Sequence, residues 1–193
     1  VRPFSDGSCS PDSCSTNSQG EYGDETVVFH GYQDQTYYIA VDGFQGVNTT
    51  FDWSLACVDE TCGAIAGDAQ CDQIVSGDSA TGTNAMTIYD GMHWEFPADE
   101  EIHRFTPAGD VLVTIGLTFG GGLDLGLMVL EDDGNGCHPT QLIAGADLDN
   151  INGPGSETVT FMAAGGTTYY LVVDGWQAGE QGAYDLDISC AST

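Results

Sequence analysis

Apolar and polar positions alternate with a period of two along much of the chain. Phe51, Trp53 and Leu55 share one face, with Asp52 and Ser54 opposite; Tyr184, Leu186 and Ile188 share another, with Asp185 and Asp187 opposite. Val111, Val113, Ile115 and Leu117 repeat the pattern, as do Leu125, Leu127 and Val129. Period two with a charged outer face predicts half-buried antiparallel strands. No segment carries a helical period of useful length. The 27 glycines are scattered as turn punctuation rather than gathered in one tract, which suits short strands joined by tight turns. The chain is therefore expected to be all-β. Eight strands are predicted in its larger part: DQIVSG from Asp72, MTIYD from Met86, EEIHRFTP from Glu100, DVLVTIGLTF from Asp110, LDLGLMVL from Leu123, ETVTF from Glu157, TTYYLVVDG from Thr167 and AYDLDISC from Ala183. Together they describe an antiparallel β-sandwich of jelly-roll type.

The chain also repeats itself. Glu25 to Gly46 reads ETVVFHGYQDQTYYIAVDGFQG and Glu157 to Ala178 reads ETVTFMAAGGTTYYLVVDGWQA. Half of these positions are identical without gaps, at an offset of 132 residues. Each copy runs on into an alternating strand that ends in cysteine, TFDWSLAC at Cys57 and AYDLDISC at Cys190. Such self-similarity predicts sandwich units in tandem. Residues 71–193 hold a complete unit, residues 58–70 read as a disulfide-bearing linker, and residues 1–57 match only the part of the complete unit after about Val129. The first unit is thus incomplete. Its apolar residues Val27, Phe29, Ile39, Val41, Phe51, Trp53 and Leu55 lack a facing sheet and form a candidate assembly surface. Burying such side chains is worth roughly 1.5–3 kcal/mol each, so a cover is expected: a retained N-terminal fragment, the complete unit, or a neighbouring copy.

The ETVTF, TTYYLVVDGWQ and AYDLDISC segments, preceded by EEIHRFTP and LDLGLMVL, resemble the bacterial pre-peptidase C-terminal domain family. The resemblance covers about residues 71–190, with residues 25–57 as a partial second copy. It implies secreted, usually noncatalytic β-sandwich modules appended to extracellular peptidases and other surface proteins. Some related modules bind calcium or engage polymeric substrates. Within residues 1–193 no peptidase domain is expected before the modules, which sets the accessory role apart from the family pattern.

Charge narrows the partners. Thirty Asp and Glu face Arg2 and Arg104 and no lysine, a net charge of −28. Such a chain repels phosphate backbones and anionic lipid, which excludes nucleic acid as a partner, and no apolar stretch of 18 residues exists to insert in a membrane. With 41% hydrophobic residues, 8 Tyr, 8 Phe and 3 Trp, the acid does not signal disorder. Seven cysteines point to an oxidising, extracellular or cell-surface setting. Cys9 with Cys14, and Cys62 with Cys71, bracket short loops and are candidate local disulfides, with other pairings open; Cys57, Cys137 and Cys190 remain. The spacings are not those of a zinc site.

Candidate chemistry is sparse. Asp147, Asp149, Asn150 and Asn152, with Glu157 beyond, set oxygen ligands around glycine turns, as Ca²⁺ prefers; Asp132 and Asp133 in EDDGNG form a second candidate loop. The competing reading of both is a solvated Asp/Asn/Gly turn. Ca²⁺ is the one candidate cofactor. Asn48 lies in an N-x-T glycosylation pattern, and Ser and Thr around residues 8–18 could carry O-linked sugar. Ser79 in SGDSATG has no identifiable base among His30, His93, His103 and His138, and reads as a turn. Phe44 and Trp176 follow Asp-Gly in each repeat and suit packing over a sandwich end. The chain is expected not to be an enzyme. The leading expectation is an extracellular structural subunit of a fibre or surface assembly, a helical or linear homopolymer in which a neighbouring chain completes the first unit. The alternatives are an accessory module of a secreted hydrolase that binds substrate or matrix, and a calcium-dependent adhesin or stalk; glycans are further candidate partners.

Overall fold

The structure is a computed structural model that describes residues 26–31, 36–41, 50–57, 60–92, 95–147 and 155–192. The chain divides into two compact units, Val1–Val58 and Asp59–Thr193. The second unit is an all-β sandwich, as the alternation predicts. Its strands are β1 (Ile65–Ala69), β2 (Gln73–Asp78), β3 (Glu101–Phe105), β4 (Val111–Phe119), β5 (Leu125–Glu131), β6 (Leu142–Ala146), β7 (Gly155–Ala163), β8 (Tyr169–Gly175) and β9 (Ala183–Ser192). One sheet has the order β1-β3-β8-β5-β6 and the other β2-β9-β4-β7. All pairs are antiparallel except β1 with β3.

The inward faces are the ones that the alternation marks. Val113, Ile115 and Leu117 of β4 meet Leu127 and Val129 of β5, with Leu171 and Val173 of β8 and Leu186 and Ile188 of β9, all fully buried. Strand β5 is different, because both of its faces are covered. Met128 and Leu130 point outward with Val172 and Ile102 into a second apolar layer, capped by Met86, Tyr89 and Phe96. A strand buried on both sides reads as a continuous apolar run, and LGLMVL is such a run.

This second layer corrects the reading of MTIYD as a strand. Residues 86–90 carry only an isolated bridge, Ile88 to Glu95, and lie across the outside of the first sheet. Met86 and Tyr89 are spaced to drop side chains onto the sheet rather than to pair along it. The segment's backbone is satisfied locally instead: Phe96 N donates to Thr87 O at 2.8 Å, and Asp90 N donates to Pro139 O at 3.1 Å.

Two strands escaped the sequence pattern, β1 (IAGDA) and β6 (LIAGA). Both are short, rich in Gly and Ala, and lie at the two edges of the first sheet. Edge strands are kept short in natural sheets, and Gly and Ala carry little strand signal. Because β1 is a strand, residues 65–69 are sheet rather than linker.

Strand β1 also corrects the cysteine pairing. An extended run of five residues spans about 16 Å, whereas bridged Cα atoms sit about 4.4–6.8 Å apart, so Cys62 and Cys71 on either side of β1 do not close a local loop. Cys62 bonds Cys137, and Cys71 bonds Cys190, each with Cα atoms 5.4 Å apart. The second bridge joins the approach to β2 with the last strand, over a separation of 119 residues.

In the first unit, the described residues of ETVVF, TYYIAV and TFDWSLAC, expected as strands, lie in none. The second unit supplies the reason. Its equivalent strands are β7, β8 and β9, and none of these pairs with another: β8 sits between β3 and β5, while β7 and β9 flank β4. The repeated segments therefore hold no ladder partners for one another.

Replacing both Cys71 and Cys190 with serine removes a long-range cross-link. The double variant should lose about 2–5 kcal/mol of stability, measured as a lower urea midpoint than wild type under non-reducing conditions.

Candidate functional site

The residues chosen from sequence as an assembly surface are described in the first unit and can be compared with their repeat equivalents. Ile39 is 55% exposed and Trp53 is 66% exposed, whereas Leu171 and Leu186 at the same repeat positions are 0% exposed. Val27, Val41, Phe51 and Leu55 are likewise exposed, while Val159, Val173, Tyr184 and Ile188 are buried. Phe29 is half-buried, its ring 5.3 Å from that of Tyr37. The same pattern of residues is thus core in one unit and surface in the other. Cys57, the equivalent of Cys190, is an exposed free thiol.

The two calcium candidates fare differently. At the first, Asp147 is half-buried, Glu157 is buried on the inward side of β7 opposite Leu117, and Asp149, Asn150 and Asn152 lie outside the described residues. At the second, the carboxylates organise their own turn. Asp132 Oδ1 accepts from the N–H groups of Gly134 (2.8 Å) and Gly136 (3.1 Å). Asp133 Oδ1 accepts from Asn135 N at 3.0 Å, and that bond, ahead of a contact from Gln141, holds the Asp133 carboxyl below its ordinary range. Among the described residues, no group of three or more His, Cys, Asp and Glu is set to hold a metal ion. Asn48, Cys9 and Cys14 lie outside the described residues.

Two buried polar clusters in the second unit were not foreseen. The first pins the two sheets together at their edge. Tyr184 of β9 donates its hydroxyl proton to Glu101 Oε2 at 2.9 Å, and His103 Nε2 of β3 lies 2.8 Å from the Tyr184 hydroxyl oxygen. With the tyrosine proton committed to Glu101, the imidazole Nε2–H is the donor of the second bond. Glu101 also accepts from Asp78 N at 2.7 Å. Burial lowers the His103 pKa, and burial followed by Glu101 raises that of Tyr184. Gly77 makes this possible, since a Cβ there would run into the Tyr184 ring and the Glu101 carboxylate.

The second cluster anchors the covering segment to the outside of the first sheet. Tyr89 donates to Asp174 Oδ2 at 2.8 Å, and Gly175 N donates to Asp174 Oδ1 at 2.8 Å. Glu100 receives the Ala85 N–H on both of its oxygens at 3.0 Å. Asp174 and Glu100 are 0% and 2% exposed. Burial, then the nearby Glu100, raises Asp174 well above the carboxylate range, and burial raises Glu100 from 4.5 to about 7. The one sequence signal was Asp174 itself, an acid closing the apolar run YYLVV. Neither cluster offers a solvent-facing nucleophile with a base beside it. The Ser79 hydroxyl is buried and accepts from Gly182 N at 3.1 Å, which makes it a turn brace.

No protein-family model matches the chain, and no curated protein matches it. Among solved structures, the chain is similar to the pre-peptidase C-terminal domain of collagenase from Bacillus anthracis, at 15% identity and a TM-score of 0.44, over 65% of this chain and 97% of that one. It is also similar to CorA, a surface-associated copper-binding protein of Methylomicrobium album BG8, at 14% identity and a TM-score of 0.44, over 66% of this chain and 99% of that one. A third is PliG of Aeromonas hydrophila, a periplasmic inhibitor of g-type lysozyme, at 14% identity and a TM-score of 0.37, over 65% of this chain and 100% of that one. The first of the three is a domain of the family that the Glu157–Cys190 motifs resemble.

Glu100 makes stability fall with pH. Its folded pKa of about 7 exceeds the ordinary 4.5, so its contribution is full below about pH 4.5 and is lost as pH rises to about 7, a swing on the order of 3 kcal/mol. Urea midpoints of wild type and Glu100→Gln measured from pH 4 to 8 should diverge over that window, with wild type losing the ground. Tyr184→Phe strips a partner from both His103 and Glu101 and should cost about 1–3 kcal/mol in the same assay at pH 7.

Proposed function

We propose that this chain is a noncatalytic extracellular structural subunit, in which β-strands of a neighbouring chain complete the first unit and so link subunits into a fibre or surface layer. The carrying observation is the paired burial pattern: Ile39, Val41, Phe51, Trp53 and Leu55 are exposed where Leu171, Val173, Tyr184, Leu186 and Ile188 form a core. Contiguous exposed apolar residues of this kind mark a binding surface or an aggregation hazard, and a repeat that forms a sandwich core elsewhere in the chain favours the former. Strand addition supplies both the missing hydrogen bonds and the missing apolar contacts. When such a contact runs head to tail it does not close, and it propagates as a filament. The two long-range disulfides suit an oxidising, extracellular setting.

Native material is expected to have a molar mass many times 20.3 kDa by light scattering and to show regular filaments in negative stain. Trp53→Ser with Ile39→Ser should shift it to small species while leaving the second unit's thermal transition unchanged. A single species of 20.3 kDa in the wild type overturns the proposal and leaves the accessory-module reading.

A further inference from the structure

The two sheets of the second unit end in four edge strands, β1, β6, β2 and β7. Natural sheets protect such edges against pairing with other chains, by shortness, bulges or charge. Three of the four carry such a protection. β1 has five residues, its register with β3 shifts between Ile65 and Gly67, and its Asp68 binds Arg104 at 2.7 Å. β6 also has five residues, contains Gly145, and shifts register against β5. β2 has six residues, follows Asp72 and ends in Asp78. β7 has none of these features. It runs nine residues, Gly155–Ala163, without lysine or proline, and pairs with β4 residue for residue with no shift. Among the described residues it pairs with no strand but β4.

Charge points the same way. The outward residues of β7 are Ser156, Thr158, Thr160 and Met162, all exposed. Beside them on β4 stand Thr118, Gly116, Thr114 and Leu112. The first acids on that face are Asp185 and Asp187 of β9, one strand further in. A chain of net charge −28 thus keeps a charge-free margin two strands wide along β7. The occupant that fits it is a second copy. Two such chains repel through most of their surfaces, and contact at β7 holds the carboxylates of β9 two strands back on either side. The strand also complements itself. Antiparallel pairing about a two-fold axis at Val159 engages all nine residues and keeps inward side chains inward. It sets Thr158 against the partner's Thr160 and Ser156 against the partner's Met162, and Thr–Thr is a favourable cross-strand pair. We propose that two copies of this chain pair antiparallel along β7, joining their four-stranded sheets into one of eight strands. The contact uses no residue of the first unit, so it stands independently of the assembly reading above.

The test uses the full chain carrying Ile39→Ser and Trp53→Ser, which removes the first-unit contact. Light scattering over a concentration series is expected to give a dimer, twice 20.3 kDa, and added salt to favour it by screening the repulsion. Amide hydrogen exchange in residues 155–163 is expected to slow as the dimer forms, with exchange in β2 and β6 unchanged. Adding Thr158→Glu and Thr160→Glu opposes like charges across the axis and should weaken the dimer by about tenfold, with the thermal transition still cooperative. Three results overturn the inference: a mass of 20.3 kDa at every concentration, a dimer whose exchange in residues 155–163 does not slow, or a dimer that the two glutamates leave intact. The exchange measurement needs no substitution in β7, so it decides the matter even where the glutamate variant fails to fold. Wild-type filaments with a monomeric Ile39→Ser and Trp53→Ser variant remove this contact and leave the assembly reading. A wild type that stops at a dimer protected along β7 does the reverse.

Discussion

The constraint on which the rest depends is that the closing strands of the sandwich never pair with one another in a ladder. β7 and β9 meet only through β4, and β8 hydrogen-bonds only to β3 and β5. A sandwich built this way is cooperative by construction, because its late strands can be seated only on its early ones. The 119-residue span of the Cys71–Cys190 bridge follows the same logic: it fastens the last strand to the approach of the second. Duplicating only the late strands therefore cannot duplicate the fold. The described residues of the first unit keep the apolar side chains of a core and lie in no strand that would bury them.

The second unit reveals how such a sandwich keeps its own exposed sheet from becoming sticky. The outer face of the second sheet is dressed with Thr, Ser and Asp from β4, β7 and β9, with Thr114 against Thr160 as one cross-strand pair. The outer face of the first sheet is apolar and is roofed by Met86, Tyr89 and Phe96. That roof is held by two acids it cannot leave in water, Asp174 receiving Tyr89 and Glu100 receiving Ala85 N. Burial makes both acids proton-retaining, while the hydrogen bonds they accept pull the other way. This places two buried acids in a chain of net charge −28.

Much of this architecture was legible because strands with one wet face must alternate. β4 and β9 are that case, and their inward residues Val113, Ile115, Leu186 and Ile188 were named by period alone. Legibility failed where the alternation has another cause or none. MTIYD looks like a strand because Met86 and Tyr89 must reach a sheet, yet the residues between them pair with nothing beyond one bridge. IAGDA was read as linker and LIAGA was not picked out, because edge strands need little side-chain packing, yet they close both sides of the first sheet. The cysteines misled for the same reason: a strand hidden between Cys62 and Cys71 turned two sequence neighbours into distant ends. The polar clusters were unreadable, since His103, Tyr184 and Glu101 come together across two sheets and no local pattern brings them into register.

Charge sets the last condition on any assembly of these chains. With 30 acids against two arginines, copies repel at every separation that salt does not screen, and at physiological ionic strength screening acts over about 8 Å. Long-range attraction therefore cannot bring subunits together, and the cohesive terms must be of contact range: ladder hydrogen bonds, apolar burial and covalent linkage. The described residues of the first unit offer groups for each, in the segments 26–31, 36–41 and 50–57 that lie in no strand, in Ile39, Trp53 and their neighbours, and in Cys57. The same repulsion disfavours random association of exposed Phe51 or Leu55 with the acidic surfaces of other copies, because the side chains cannot come into contact without also bringing charged strand faces together. Any partner must therefore offset the repulsion through contacts made at close range, and a requirement to satisfy several of them together is what gives such a contact specificity.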